Sequence, residues 1–235
     1  MTAAAVVTLT ACGAAEGSSA AQDATEEPGQ AGGPAAEGAE IATVTGDAID
    51  VYTEPGGEEA TATLDSPNDF GVDRTFLVER NEGEWLEVLL PVRPNGSTGW
   101  VRSDEVSLSS TTLRVEIDLS EFGFSVYDGA EEVRSGEIGT GTPENPTPSG
   151  RYYFTELLQP PNPNSSYGPY AYGLSGFSES LESFGGGPGQ LAVHGTDDTS
   201  TLGSDVSHGC IRVANDDITW MADHLPLGTP VEITG

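Results

Sequence analysis

Two short runs of this chain carry the residue types of nucleophilic catalysis. His194-Gly195-Thr196 is followed by Ser207-His208-Gly209-Cys210-Ile211-Arg212, which places a cysteine sixteen residues after a histidine. A cysteine sulfur attacks as its thiolate, and an imidazole within hydrogen-bond reach can take the proton. Successive side chains of a strand face opposite sides, so alternation tests whether the two can meet. Leu191 and Val193 point to a core and leave Ala192 and His194 on the other surface. Ile211 and Val213 do the same and leave Cys210 and Arg212. If the two runs are neighbouring strands of one sheet, His194 and Cys210 emerge on one face near the strand ends.

Charge along the chain points the same way. The ionisable neighbours nearest Cys210 in sequence are His208 and Arg212, and positive neighbours lower a thiol pKa. Gly209 permits an unusual backbone angle beside the sulfur, and backbone N–H groups there can form an oxyanion hole. His194, His208 and Cys210 are also three good zinc ligands, but neither His-Glu-x-x-His nor Cys-x-x-Cys spacing accompanies them, so no metal is expected. Spacing alone puts forward Asp197 or Asp198 as the group that orients the imidazole. A buried core cysteine and a satisfied core histidine are the plain alternatives for the pair. His224 reads as structural, a cation at the end of a helix.

The elements that must position this cluster are mainly strands. Leu113 to Leu119 alternates at period two, Phe124 to Asp128 ends in an Asp-Gly turn, and Val133–Ile138, Arg151–Phe154 and Val231–Ile233 continue the pattern. Asn215 to Leu225 predicts the one main helix, capped by Asn215 and stopped by Pro226, with Ile218, Met221, Ala222 and Leu225 on one face. Residues 159–190, rich in Gly, Pro and Ser, read as a long functional loop whose Tyr167, Tyr170 and Tyr172 either cover the site or pack beneath it.

Upstream lie further segments. Residues 13–40 hold nine Ala, six Gly and five Glu with nothing apolar larger than Ala, so they are expected to be a disordered acidic linker. Residues 41–108 show short strands around Trp85-x-x-Val88 and Gly99-Trp100-Val101, with an Asn95-Gly96 hairpin signal. The chain has 235 residues, 8 Arg, no Lys and 38 Asp+Glu, a net charge of −30. No basic stripe exists to displace counterions from phosphates, so nucleic acid is excluded as a partner, and the charge argues equally against electrostatic adhesion to anionic lipid. No apolar run reaches the ~18–20 residues that span a bilayer. With cysteines only at positions 12 and 210, a disulfide framework is excluded too.

The His194-Gly-Thr and Ser207-His-Gly-Cys-Ile-Arg212 runs resemble the signature of YkuD-type L,D-transpeptidases. Thr147-Pro-Ser-Gly150 is similar to that family's strand-entry turn, and Gly168-Pro-Tyr-Ala-Tyr-Gly-Leu-Ser175 to the segment before its catalytic histidine. The resemblance covers residues 112–235 and implies a β-sandwich-like catalytic domain that cross-links peptidoglycan stem tetrapeptides through a thioester, without cofactor. It implies Cys210 as nucleophile and His194 as general base and acid. The Gly195 carbonyl would orient the imidazole in place of a carboxylate, and His208 and Gly209 would shape the oxyanion site. Arg212, Tyr170 and Tyr172 are carried over as substrate-binding candidates. Hydrolysis on the same scaffold, as an L,D-carboxypeptidase, and a non-catalytic wall-binding module are the alternatives. Residues 41–108 resemble a bacterial Src-homology-3-like barrel. Residues 1–12, ending Leu9-Thr-Ala-Cys12, resemble a lipobox, which implies lipidation of Cys12 and an extracytoplasmic protein anchored at the cell membrane, although the basic start of such a signal is missing.

Overall fold

The computed structural model describes residues 38–235. The lipobox-like segment with Cys12 and most of the expected linker lie outside the described residues. The linker's expected end needs correction, because Ala39 and Glu40 already belong to the first strand.

Seven strands come first: β1 (Ala39–Val44), β2 (Ala48–Val51), β3 (Ala62–Asp65), β4 (Thr75–Asn81), β5 (Trp85–Leu89), β6 (Thr98–Arg102) and β7 (Val106–Thr111). They form a sheet in the order β6-β5-β4-β1-β7, with β2 and β3 as a separate hairpin bridged to it at Tyr52 and Trp100. Ala42, Phe76, Leu77, Leu86, Val88 and Val101 fill this unit and are fully buried. Thr112 alone separates β7 from the next strand.

The second unit holds β8 (Leu113–Asp118), β9 (Gly123–Asp128), β10 (Glu131–Glu137), β11 (Gly139–Gly141), β12 (Gly150–Leu158), β13 (Ala171–Phe177), β14 (Gln190–His194), β15 (Ser204–Ser207), β16 (Ile211–Arg212) and β17 (Pro230–Thr234). They make one ten-stranded sheet in the order β10-β9-β8-β17-β12-β13-β14-β16-β11-β15. Helix α1 (Asn215–His224) is the only α-helix among the described residues, and it lays Ile218 and Met221 on the core of this sheet. The mainly β class with one helix is therefore observed.

Strand β13 corrects the expectation of an unbroken loop over 159–190. Its first six residues, Ala171–Gly176, are all buried, so no polar alternation marks it. Tyr172 and Leu174 face the core, where the Tyr172 ring stacks on Phe154 at 4.1 Å. On the other face, a Cβ at Gly173 would lie 1.7 Å from Oε1 of the buried Glu156. Close approach demands glycine there, and the glycine is what reads as loop.

Helix α1 also departs from expectation at its start. The residue before it, Ala214, has an extended backbone and offers no side-chain cap, and Asn215 is the first helical residue. The Asn215 side chain reaches away, its Oδ1 accepting the Thr196 N–H at 3.0 Å. The acid of the first turn that is buried, Asp217, is held by the Arg134 Nε–H at 2.8 Å.

The two β units share a seam. Tyr153 of β12, fully buried, packs in the core of the first unit. Arg151 pairs with Glu79 at 2.7 Å, and Asn68 donates to Glu156 at 3.0 Å. The turn after β5 meets the end of β13, where Asn95 and the Phe177 backbone exchange two hydrogen bonds of 2.8 Å.

Candidate active site

Strands β14 and β16 lie side by side in parallel, with Val193 opposite Ile211 and His194 opposite Arg212. Val193 and Ile211 face the core together. This register carries His194 and Cys210 to the same face, and the Ala192 N–H is directed at the Cys210 sulfur.

The turn that presents Cys210 is built from small side chains. Gly209 has φ +117°, a backbone conformation that a side chain would strain. Ser207 Oγ accepts the Gly209 N–H at 3.1 Å and donates to the Cys210 carbonyl at 2.5 Å, closing the turn on itself. Thr147 Oγ1 fixes the same turn from outside, donating to the Gly209 carbonyl at 2.9 Å while accepting the Gly141 N–H at 2.9 Å. Thr147 is a positioning group that spacing did not single out as part of the site.

His194 is buried, with Nδ1 2.6 Å from the Gly195 carbonyl oxygen. A carbonyl only accepts, so Nδ1 carries the proton and Nε2 is left with its lone pair. Burial lowers the imidazole pKa to about 4, against the opposing pull of the Gly195 carbonyl. Asp198, a carboxylate that spacing offered as the orienting group, accepts instead from the N–H and hydroxyl of Ser200 at 3.1 and 2.6 Å.

The sulfur shows the clearest departure from charge counting. Burial pushes the Cys210 thiol above its ordinary value, and the Ala192 N–H and the Arg212 guanidinium only oppose that rise. His208 makes no such contribution. Its exposed ring stacks on Phe184, 5.1 Å between centroids, so sequence adjacency did not become adjacency at the sulfur. Arg212 sends its field over both Cys210 and His194, and its buried Nε has no hydrogen-bond partner.

The tyrosines divide. Tyr172, carried as a substrate-binding candidate, has no exposed surface, and its hydroxyl donates to the Leu225 carbonyl at 2.7 Å and also lies 3.1 Å from that of Met221. It fastens the end of α1 to the sheet and does not line the cleft. Tyr170 packs at the edge of the core, and its carbonyl accepts the Gly195 N–H at 3.3 Å. Tyr167, one of the loop tyrosines that could cover the site or pack beneath it, lies 4.8 Å from His194 between ring centroids, and burial raises its phenol pKa, with Cys210 adding to the rise. No spacing rule could have chosen it over Tyr170 and Tyr172, because its segment crosses the site as irregular chain.

Cys210 opens into a cleft of about 770 Å³ that Ala192, Tyr167, Glu156, Phe184 and the Gly185–Pro188 run also line. The first β unit adds Asp69 and Phe70 to the wall. Among the described residues no three His, Cys, Asp or Glu side chains gather in a metal-sized cluster.

Residues 112–233 match the family profile of the YkuD L,D-transpeptidase catalytic domain. The chain is 31% identical over 173 residues to a protein of Bacillus licheniformis named as L,D-transpeptidase YkuD, covering 71% of this chain and 89% of that one. It is 31% identical over 192 residues to an Escherichia coli protein named as L,D-transpeptidase ErfK/SrfK, covering 70% of this chain and 56% of that one. The chain thus spans little more than half the length of the latter. A crystal structure of an L,D-transpeptidase from Mycobacterium tuberculosis superposes with a TM-score of 0.47 at 19% identity, over 82% of this chain and 80% of that one.

Proposed function

The chain belongs to the YkuD family of L,D-transpeptidases through residues 112–233, and on that footing we propose that it is a cysteine acyltransferase of peptidoglycan stem peptides. Cys210 is the nucleophile and His194 the base that activates it. The observation that carries this reading is the 2.6 Å bond from His194 Nδ1–H to the Gly195 carbonyl, which leaves the Nε2 lone pair free on an imidazole that shares a strand face with Cys210.

At neutral pH the pair rests as thiol and neutral imidazole, because burial raises the thiol pKa and lowers the imidazole pKa. The proton therefore passes from sulfur to Nε2 as the sulfur attacks the carbonyl before the terminal D-residue of a stem tetrapeptide. The Gly209 N–H is committed to Ser207, which favours the Cys210 N–H for the developing oxyanion. His194 then protonates the departing D-amino acid, leaving a thioester on Cys210. An amine of a second stem attacks the thioester, gives its proton to His194, and leaves a new amide with the thiol restored. The energy of the old amide is kept in the thioester, so the residues present suffice for the exchange.

A peptidoglycan substrate puts the catalytic unit outside the cytoplasm, and lipidation of Cys12 would tether it to the membrane.

Intact mass spectrometry of the full chain with a tetrapeptide stem, and separately with a carbapenem, tests the reaction. One adduct per chain, mapped to Cys210 and missing from Cys210→Ala, is expected. A chain that forms neither adduct is not this enzyme, and is better read as a wall-binding module.

A further inference from the structure

Residues 178–189 form a flap over the cleft. Its tip, Phe184 to Pro188, lines the cleft opposite Cys210 and reaches the catalytic turn through the Phe184–His208 stack. Inside the flap, Phe184 and Gly187 exchange backbone hydrogen bonds of 3.1 and 3.0 Å and the Leu181 N–H donates to Ser178 Oγ at 3.1 Å, local turns that do not join its root to its tip. Gly185, Gly186 and Gly189 take φ +59°, +91° and +72°, and a glycine-rich run loses much conformational freedom when it is held in one shape. Contacts from outside the flap must set these turns in place, and Ser180 Oγ donating to Asn145 Oδ1 at 3.0 Å is one of them.

Arg93 of the first β unit is so placed. Its Nη1 donates to the Ser178 carbonyl at 2.5 Å, and its Nη2 to the carbonyls of Leu181 and Pro188 at 3.0 and 2.9 Å. One guanidinium thus grips the start of the flap at two points and its end at a third. The same group lies 5.0 Å over the Phe177 ring, at the end of β13. The two roots meet directly as well, the Ser178 N–H donating to the Gly189 carbonyl at 2.8 Å. Gly189 is needed for that closure, because a Cβ there would lie 2.5 Å from the Leu181 oxygen and 3.2 Å from Arg93 Nη2. Although the chain has 38 acidic residues, among the described residues no carboxylate pairs with Arg93. Its donors go to flap carbonyls, and a planar fork of five N–H groups suits that task better than a point charge.

We propose that Arg93 is a positioning residue of the active site: it holds the flap across the cleft and so limits the access of water to the acyl group on Cys210. The first β unit is then part of the enzyme's reaction chamber and more than a spacer. This rests on the acyltransfer reading only for its second half. Water attacking the thioester yields a free carboxylate, whereas an amine yields an amide, and both restore the thiol. A flap held closed favours an amine bound in the cleft over bulk water.

The test uses the full chain with Arg93→Ala and Arg93→Lys. Alkylation of Cys210 by iodoacetamide should quicken about three- to tenfold in Arg93→Ala, on the scale of losing hydrogen bonds from a charged donor at a partly exposed site. Arg93→Lys should fall between, since an ammonium can satisfy some of the three carbonyls. Amide hydrogen exchange over 178–189 should speed up while β13 and β14 keep their rates. With a stem tetrapeptide and an amine acceptor, the hydrolysed share of product should rise. Unchanged alkylation and flap exchange in Arg93→Ala would overturn the proposal, as would faster exchange throughout β12 to β14, which marks general loosening. A wild-type chain that forms no acyl adduct while its thiol labelling still answers to Arg93 would overturn the reaction and leave the flap role supported.

Discussion

His194 Nδ1 lies 2.6 Å from the carbonyl oxygen of Gly195, its own neighbour in the chain. The imidazole is therefore oriented by the backbone at the end of β14, and that backbone is itself fixed. The Gly195 N–H is held by the Tyr170 carbonyl, and a Cβ on Gly195 would lie 2.3 Å from Asn215 Oδ1. Orientation by a carbonyl keeps the tautomer without adding charge, so a buried imidazole can stay neutral and basic at Nε2.

A first prediction separates the carbonyl from the nearby carboxylates. Asp197→Asn and Asp198→Asn should leave kcat/KM within about a factor of two to three, the scale of changes outside the reacting groups. His194→Ala should lose about 10²- to 10⁴-fold, the usual worth of a positioned acid–base. A hundredfold loss in Asp198→Asn would return the orienting role to a carboxylate.

The sulfur gives a second. Cys210→Ala should abolish turnover, and Cys210→Ser should retain little, since a hydroxyl is a far poorer nucleophile at neutral pH.

The pH profile follows from the same pair. His194 loses basicity only when protonated, near pH 4, and Cys210 ionises by itself only above the ordinary thiol range. The rate of acylation should then be flat from about pH 5.5 to 8 and fall in acid with a midpoint near 4. Stability moves with the same sign: the unfolded histidine binds a proton near 6.5 and the folded one near 4, so His194 destabilises the fold as pH drops through that window. A midpoint near 6.5, read from carbapenem acylation against pH, would show a solvated imidazole and sink this account.

How much of this was legible in the sequence depends on what carried each feature. The parity of Leu191-Ala-Val-His194 and Cys210-Ile-Arg-Val213 was enough to place His194 and Cys210 on one face, because period two is local and burial enforces it. Strand β13 was not legible, since Gly173 and Gly176 are there for close packing against Glu156 and Tyr152 and carry no strand signal. The thiol's pKa was misjudged because adjacent letters report charges but not desolvation, and desolvation dominates at Cys210. Tyr167 and Arg93 act across loops and across the seam, where contact is a property of the assembled fold.

A fourth prediction follows from the division of the tyrosines. Tyr172→Phe should cost about 0.5–1.5 kcal/mol in urea denaturation, one buried hydroxyl's hydrogen bonding, with kcat/KM little changed. Tyr167→Ala should leave stability nearly untouched and lower kcat/KM, since its ring borders His194 and lines the cleft that Cys210 opens into. The reverse pattern would put Tyr172 back among the substrate-binding residues.

The last prediction concerns Glu156, a residue only 2% exposed at the seam between the two β units. Gln190 Nε2 donates to one oxygen at 2.9 Å and Asn68 Nδ2, from the first unit, to the other at 3.0 Å. Burial raises its pKa, and the bonds from Thr155, Gln190 and Asn68 only partly offset that. Asn68→Asp keeps the Oδ1 that accepts the Phe70 and Val72 N–H groups at 3.0 and 3.1 Å, so the local turn survives. It replaces the donor to Glu156 with an acceptor that carries charge. The expected cost at pH 7 is about 1–3 kcal/mol, a buried carboxylate left short of one partner and facing a like charge. The sign with pH is fixed, because protonating either member of the pair removes the repulsion and turns one oxygen into a donor. The penalty should therefore shrink as pH falls toward the raised pKa of Glu156, seen as urea midpoints of variant and wild type that converge as the pH is lowered from 7. Midpoints that stay equally far apart as the pH falls would mean that the Asn68–Glu156 contact does not bind the two units electrostatically.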